Sequence, residues 1–195
     1  ILNNNKLCCV EELNFNLKSI RHLEIDSNDL ITFDLNLSKI ETLVLSNNQN
    51  LMNISINNSN LFILKLKNSN SHLLNSINFS TLTNLIELDL SNNMFDINFI
   101  RKFTFAKLTK LKRLYFSNCN ISSDFFSSID SNVMLHLLDL SDNKHFFKNL
   151  NRNTNIFQKL ISFKTLFLAN LSIENFEMLA IHDYINLVNL NMSVN

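Results

Sequence analysis

The sequence predicts an α/β solenoid, with a parallel β-sheet on one face and short helical, 3₁₀ or extended segments on the other. Three observations predict it. An apolar grammar, L-x-x-L-x-L-x-x-N, recurs along the 195 residues. Apolar residues spaced by three lead into several of the copies. No copy carries enough apolar side chains to close a core alone, so each needs neighbours stacked against it.

The copies run in order. Ile20, Leu23, Ile25 and Asn28 form the first, and Ile40, Leu43, Leu45 and Asn48 the second. Leu61, Leu64, Leu66 and Ser69 follow, then Leu85, Leu88, Leu90 and Asn93. The fifth is Leu111, Leu114, Phe116, Cys119, and the sixth Leu135, Leu138, Leu140, Asn143. Phe163, Leu166, Leu168, Leu171 is a weaker seventh, and Leu187, Leu190, Met192, Asn195 the eighth. Successive copies lie 20 to 28 residues apart. Leu2, Asn5 and Leu7 read as the tail of a further, partial copy. The L-x-L of each copy predicts a short strand whose leucines point inward, since strand side chains alternate between faces.

The asparagine closes each strand for a physical reason. Where the chain turns away from the sheet, backbone N–H and C=O groups lose their partners, and buried groups must be satisfied. An amide side chain donates and accepts at once. Asn5, Asn28, Asn48, Asn93, Asn143 and Asn195 are therefore expected to form a ladder. Cys119 takes the same position as a structural thiol, and Ser69 is expected to substitute. Leu171 cannot, so the ladder should break there unless Asn170 compensates.

The segments between strands differ along the chain. Phe79, Leu82, Leu85, Leu88 and Phe105, Leu108, Leu111, Leu114 keep a spacing of three, which suits a short helix or 3₁₀ turn. Phe157, Leu160, Phe163, Leu166 and Ile181, Tyr184, Leu187, Leu190 repeat the phase. The early copies are shorter. Asn28 to Leu45 leaves little room for a helix, so an extended convex side is expected there.

On these residues the chain resembles the leucine-rich repeat family over nearly its whole length. The longer copies, F-x-x-L-x-x-L-x-x-L before L-x-L-x-x-N, resemble the typical subtype of animal extracellular proteins, Toll-like receptor ectodomains among them. The shorter early copies resemble invertebrate repeat proteins. The Pro that often precedes the convex Phe in that family is missing. The resemblance implies a horseshoe whose parallel sheet lines the concave face. The family pattern also admits Cys at the ladder position. Residues 1–195 are expected to form one array of about eight repeats plus the partial one. No cap is visible at either end, so the expectation is an interior piece of a longer array.

Composition bounds the chemistry. There is no Gly, Pro or Trp, while Asn, Ile, Lys and Phe are abundant, a codon bias rather than a folding requirement. Positions needing positive φ must then fall to Asn or Asp. Phosphate loops, dinucleotide fingerprints and nucleophile elbows, which need Gly, are excluded. Seventeen basic residues balance seventeen acidic ones, so a nucleic-acid partner is not expected from charge. No apolar run approaches the roughly 18 residues of a membrane span. His22, His72, His136, His145 and His182 are scattered without metal-ligand spacing. His182 and Asp183 adjoin, but within a stretch carrying core positions. No catalytic residue, metal or cofactor is expected, and the chain reads as a non-enzyme.

Cys8 and Cys9 are adjacent, and read either as part of a disulfide-bonded cap or as two small buried residues, the second being favoured. Seven N-x-S/T sequons occur. Asn36, Asn53, Asn57, Asn78, Asn120 and Asn170 are possible glycosylation sites, and Asn191 falls on the presumed concave strand, where a glycan would crowd the sheet. Asn is so abundant that nearly as many sequons would arise by chance, so their number alone shows nothing.

What remains is a surface. Outward strand residues should stand in columns, a central one running Glu24, Val44, Lys65, Asp89, Tyr115, Asp139, Phe167, Asn191. A flank runs His22, Thr42, Ile63, Glu87, Arg113, Leu137, Thr165, Asn189. Lys65, Arg113, Tyr115 and an exposed Phe167 are the candidate ligand contacts, since Arg and aromatics dominate binding hot spots. The leading expectation is a recognition module of an extracellular or cell-surface receptor, innate-immune-like, binding a protein or microbial ligand. An intracellular, cytoplasmic scaffold or adaptor on the same horseshoe is the alternative, and a degenerate structural spacer a third reading.

Overall fold

A computed structural model describes residues 1–10, 19–34, 37–54, 56, 60–128, 134–148, 157, 162–174, 179 and 186–195. Its strands are β1 (His22–Glu24), β2 (Thr32–Phe33), β3 (Thr42–Val44), β4 (Asn53–Ile54), β5 (Ile63–Lys65), β6 (Glu87–Asp89), β7 (Arg113–Tyr115), β8 (Leu137–Asp139), β9 (Thr165–Phe167) and β10 (Asn189–Asn191). Helices α1 (Ser71–Ser76) and α2 (Ile97–Lys102) and 3₁₀ turns at Phe79–Thr81 and Ser123–Ser128 complete the elements. Eight strands form one parallel sheet in the order β1-β3-β5-β6-β7-β8-β9-β10, the concave layer of a leucine-rich repeat solenoid.

The register is set by the inward leucines. Leu23, Leu43, Leu64, Leu88, Leu114, Leu138 and Leu166 pair rung to rung and are at most 4 % exposed. Slipping any strand by one residue would turn its leucine to solvent, so the pattern fixes one pairing. Pairing continues past each strand. Leu66 N donates to Asp89 O at 2.9 Å and Asn68 N to Ser91 O at 2.9 Å, and equivalent bonds recur at every rung. The partial copy joins the same way, with Leu2 N on Glu24 O and Asn4 N on Asp26 O.

Each turn out of the sheet passes through a left-handed residue. Asn4, Ser27, Asn47, Asn68, Asn92, Asn118, Asp142, Asn170 and Val194 all have φ between 51° and 64°. Each immediately precedes a ladder position. In a chain without glycine, Asn and Asp fill most of these sites, because a short polar side chain tolerates this backbone region best. Their amides form an outer row: Asn68 Nδ2 reaches Asn47 Oδ1 at 3.0 Å, and Asn170 Nδ2 reaches Asp142 Oδ1 at 2.9 Å.

The return segments change character along the array. Between the first rungs their described parts include β2 and β4, which pair in a small parallel sheet of their own. In the longer repeats the spacing of three becomes successive i to i+3 turns. Leu82 N donates to Phe79 O and Leu85 N to Leu82 O, both at 3.0 Å, and Leu108 and Leu111 repeat this after Phe105. Asp96 caps α2, accepting from Phe99 N at 2.8 Å, and Arg101 and Lys102 lie in its last turn, where cations oppose the helix dipole. A phenylalanine cluster fills the space beneath. Phe79–Phe103, Phe103–Phe105 and Phe116–Phe125 meet edge to face at 5.1, 4.8 and 5.3 Å, the geometry their quadrupoles favour. Leu160, Ile181 and Tyr184 lie outside the described residues. No helix among the described residues is long and apolar enough to cross a membrane.

Candidate functional site

The parallel register brings the outward residues into two rows. His22, Thr42, Ile63, Glu87, Arg113, Leu137, Thr165 and Asn189 form one, and Glu24, Val44, Lys65, Asp89, Tyr115, Asp139, Phe167 and Asn191 the other. Lys65, Arg113 and Tyr115 meet at the middle of the sheet. Phe167 stands two rungs from Tyr115, with Asp139 between. It is half-buried rather than exposed, since the register seats it between Asp139 and Asn191.

Glu87 organises this centre. Its Oε1 lies 2.8 Å from Lys65 Nζ and its Oε2 2.6 Å from Arg113 Nε. Glu87 is 7 % exposed, whereas both cations are half-exposed. Burial alone would raise its pKa, but the hydrogen bonds from Lys65 and Arg113 outweigh that and hold it below the ordinary carboxylate value. Lys65 is raised in turn by its hydrogen bond to Glu87. Burial, and then the Glu87 charge, raise the Tyr115 phenol.

The consequence is a preset donor array. Glu87 engages only the Nε edge of Arg113, and among the described residues the two Nη groups make no hydrogen bond. The Tyr115 hydroxyl likewise makes none. A guanidinium fixed along one edge presents its other donors in the fork that matches a carboxylate or phosphate. Glu87 was not among the sequence candidates. Its partners lie 22 and 26 residues away, so only the register reveals the triad.

A second feature escaped the sequence reading. One residue before each flank position the chain aligns Lys112, His136 and Lys164, with His136 N on Lys112 O and Lys164 N on His136 O, both at 2.8 Å. Burial first, then the two lysine charges, lower the His136 pKa. Two lysines thus flank a weakened imidazole on this part of the edge.

Beneath the face, the asparagines bind across rungs. Asn93 Nδ2 donates to Leu66 O at 2.9 Å and Leu90 O at 2.7 Å, and its Oδ1 accepts from Ser69 N at 2.7 Å. Asn143 donates to Phe116 O and Leu140 O, and accepts from both Cys119 N and Ile121 N. Asn28 spans Leu2 O and Leu7 N, and Asn48 spans Ile25 O and Leu30 N. Asn195 spans Leu168 O and Leu171 N, while exposed Asn5 reaches only Leu2 O and Asn3 O. Cys119 Sγ lies 3.1 Å from Leu90 O, and burial pushes its pKa up to about 12.

Ser69 departs from expectation. Its hydroxyl is buried without a hydrogen-bond partner. An Oγ sits directly on Cβ, one bond short of where an asparagine places its amide atoms, so serine does not substitute. Asn170 does not compensate for Leu171 either, because its amide turns outward to Asp142. Cys8 is exposed and Cys9 half-buried, so they are not two buried packing residues. Their sulfurs lie 3.6 Å apart.

The sequons are placed unequally. Asn53, Asn78 and Asn120 are exposed. Asn170 is half-buried, with its Nδ2 engaged by Asp142. Asn36 and Asn57, like His182 and Asp183, lie outside the described residues.

No family model matches the chain, and no curated protein matches it. Solved structures are similar in fold. An internalin, inlF, from Listeria monocytogenes str. 4b F2365 is 24 % identical with a TM-score of 0.54, covering 97 % of this chain and 65 % of that one. The functional domain of InlJ from Listeria monocytogenes, described as including a cysteine ladder, is 18 % identical with a TM-score of 0.54, covering 90 % and 44 %. A TLR13–ssRNA13 complex gives 22 % identity and a TM-score of 0.55, covering 89 % and 30 %. The chain thus spans less than two thirds of the length of each of these proteins.

Proposed function

We propose that this leucine-rich repeat solenoid is a non-enzymatic recognition module of an extracellular, receptor-type protein, and that its concave face takes an acidic group of a protein or microbial ligand. The observation that carries the reading is the Glu87-anchored array, in which Arg113 keeps two Nη groups and Tyr115 a hydroxyl for a partner. Lys65 adds a second cation and Phe167 an apolar contact two rungs from Tyr115. An arginine pre-oriented by a carboxylate loses less conformational freedom when it engages a ligand. The fold likeness to internalins and to TLR13 supports a binding role. Exposure of Asn53, Asn78 and Asn120 leaves these sequons accessible to glycosylation.

The binding reading is tested by placing a photo-crosslinking residue at Tyr115, and at exposed Met94 off the concave strands, in the protein displayed on its own cells. Adducts from position 115 that disappear with Arg113→Glu are expected. Adducts from position 94 alone would move the site off the sheet. The extracellular reading is tested separately, by glycosidase treatment of the protein from its natural source. A mass loss mapping to Asn53, Asn78 or Asn120 is expected, whereas an unglycosylated protein in the cytosolic fraction would overturn it.

A further inference from the structure

Next to the Glu87 array, Tyr115, Asp139 and Phe167 follow one another along the outward row, on β7, β8 and β9. All three are half-buried, so each keeps a solvent-facing part. Neighbouring strands lie about 4.8 Å apart, which sets the two aromatic residues about 9.6 Å apart with the acid between them.

Asp139 carries an unbalanced charge. Its Oδ1 accepts from Ser141 N at 3.0 Å, and the Ser141 hydroxyl adds a second bond. It forms no ion pair among the described residues. Asp89, on the other side of Tyr115, has Lys65 as its neighbour on the row, whereas the row neighbours of Asp139 are the two aromatic residues. Burial first, then the Asp89 and Asp142 charges, raise the Asp139 pKa.

A cation above this carboxylate has an aromatic ring on either side, and cation–π attraction acts within about 6 Å of a ring centroid. Size selects the cation. A methylated ammonium touching a ring at about 3.5–4.0 Å, carbon to carbon, holds its nitrogen roughly 4–5 Å from that ring. The midpoint between the two residues is about 4.8 Å from each. A bare ammonium is too small to touch both rings. A quaternary ammonium donates no hydrogen bond, so it suits a carboxylate whose hydrogen bonds Ser141 already supplies.

We propose that the concave face binds a phosphocholine-type zwitterion, with its phosphate on the Arg113 Nη groups and the Tyr115 hydroxyl and its trimethylammonium over Asp139, between Tyr115 and Phe167. Arg113 and Asp139 lie on adjacent strands, so one short linker spans the two halves. The phosphate half rests on the acidic-group reading above. The choline half rests on Asp139 and its two aromatic neighbours.

Phosphocholine is titrated calorimetrically into the protein, beside phosphoethanolamine, which keeps the phosphate but carries a primary ammonium. One site per chain is expected, with phosphoethanolamine at least about tenfold weaker. Asp139→Asn retains an acceptor for Ser141 N, and Phe167→Leu retains apolar bulk, so both keep the fold. Each should weaken phosphocholine about tenfold. Phosphatidylcholine vesicles are expected to leave the protein in the supernatant, because a concave sheet does not meet a bilayer surface. No binding of phosphocholine, or co-sedimentation with vesicles alone, would overturn the proposal. Equal binding of the two phosphates, untouched by Asp139→Asn, would remove the choline half and leave the acidic-group reading standing. Phosphocholine binding lost in Asp139→Asn but kept in Arg113→Glu would overturn the phosphate half, and that reading with it.

Discussion

Arg113 donates its Nε to Glu87 Oε2 at 2.6 Å across the boundary between two repeats, and the same carboxylate takes Lys65 from the repeat before. One buried acid thus ties three rungs of the sheet together and fixes the direction of two cations. Removing it would leave two positive side chains facing each other two rungs apart with nothing to hold them. Glu87→Gln is therefore expected to lower the melting temperature at pH 7. The sign with pH follows from the lowered pKa of Glu87. Its stabilisation is fully present above the unfolded carboxyl value of about 4.3, and disappears as pH falls through the lower folded value. Melting curves of the wild type and Glu87→Gln should differ at pH 7 and converge toward pH 2. A gap of constant size across that range would show that the charge plays no part.

Asn93 and Asn143 differ in how many backbone groups each satisfies. Asn93 Oδ1 takes one N–H, whereas Asn143 Oδ1 takes two. Asn93→Ala should cost about 1–3 kcal/mol by stranding buried backbone groups, and Asn143→Ala more. Urea unfolding of both variants measures the order. Equal and negligible losses would mean that water replaces the amide at both rungs.

The sheet was legible because its period is short and its residues are simple. An L-x-L pair tells which side is buried, and stacking the copies yields the columns that the register displays. The site was legible only in part. Arg113, Tyr115, Lys65 and Phe167 stand out from their columns, but Glu87 lies in an ordinary E-L-D-L and gains meaning only from neighbours in other repeats. Ser69 shows a different limit. Serine is polar, as that position asks, yet reach decides whether a polar atom finds its partner. The short spacing of Asn28 to Leu45 marks the extended convex side that holds Thr32–Phe33, but nothing in the sequence marks its pairing with Asn53–Ile54.

The three thiols should separate cleanly by reactivity. Burial pushes Cys119 up to about 12, and it is 1 % exposed, while Cys8 is exposed. The thiolate is the reactive species. At pH 8, a disulfide reagent such as dithiobis-nitrobenzoate should label Cys8 within minutes and leave Cys119 unmodified until denaturant is added. Peptide mapping of the labelled protein reads this directly. Early modification of Cys119 would mean that the fifth rung opens in the native state.

The left-handed turn positions offer a route to a more stable array. Ser27 sits at φ 55° in a row otherwise filled mostly by Asn and Asp. The strain of this region is roughly 1–2 kcal/mol for an ordinary residue, and an asparagine relieves part of it. Ser27→Asn should raise the melting temperature by a few degrees. Asn92→Val, placing a β-branched residue at φ 58°, should lower it. Matching melts for the two variants would show that backbone strain is not limiting at these turns.

Asp139 stands beside Phe167 on the concave face, and its ionisation works against the fold. Burial raises its pKa, and the hydrogen bonds from Ser141 offset only part of that rise. A carboxyl raised in the folded state contributes stability below its unfolded value of about 3.9, and loses it as pH climbs through the folded value. The ionised form that prevails at neutral pH is thus the less favourable one. Asp139→Asn keeps an Oδ1 to accept from Ser141 N, now 3.0 Å away, while removing the charge. The variant should melt above the wild type at pH 7, and match it near pH 3, where the native carboxyl is already neutral. Calorimetric melts at the two values decide it. If the variant gains nothing at pH 7, the face around Asp139 is wetter than its packing indicates, and a ligand approaching Phe167 would meet a solvated carboxylate.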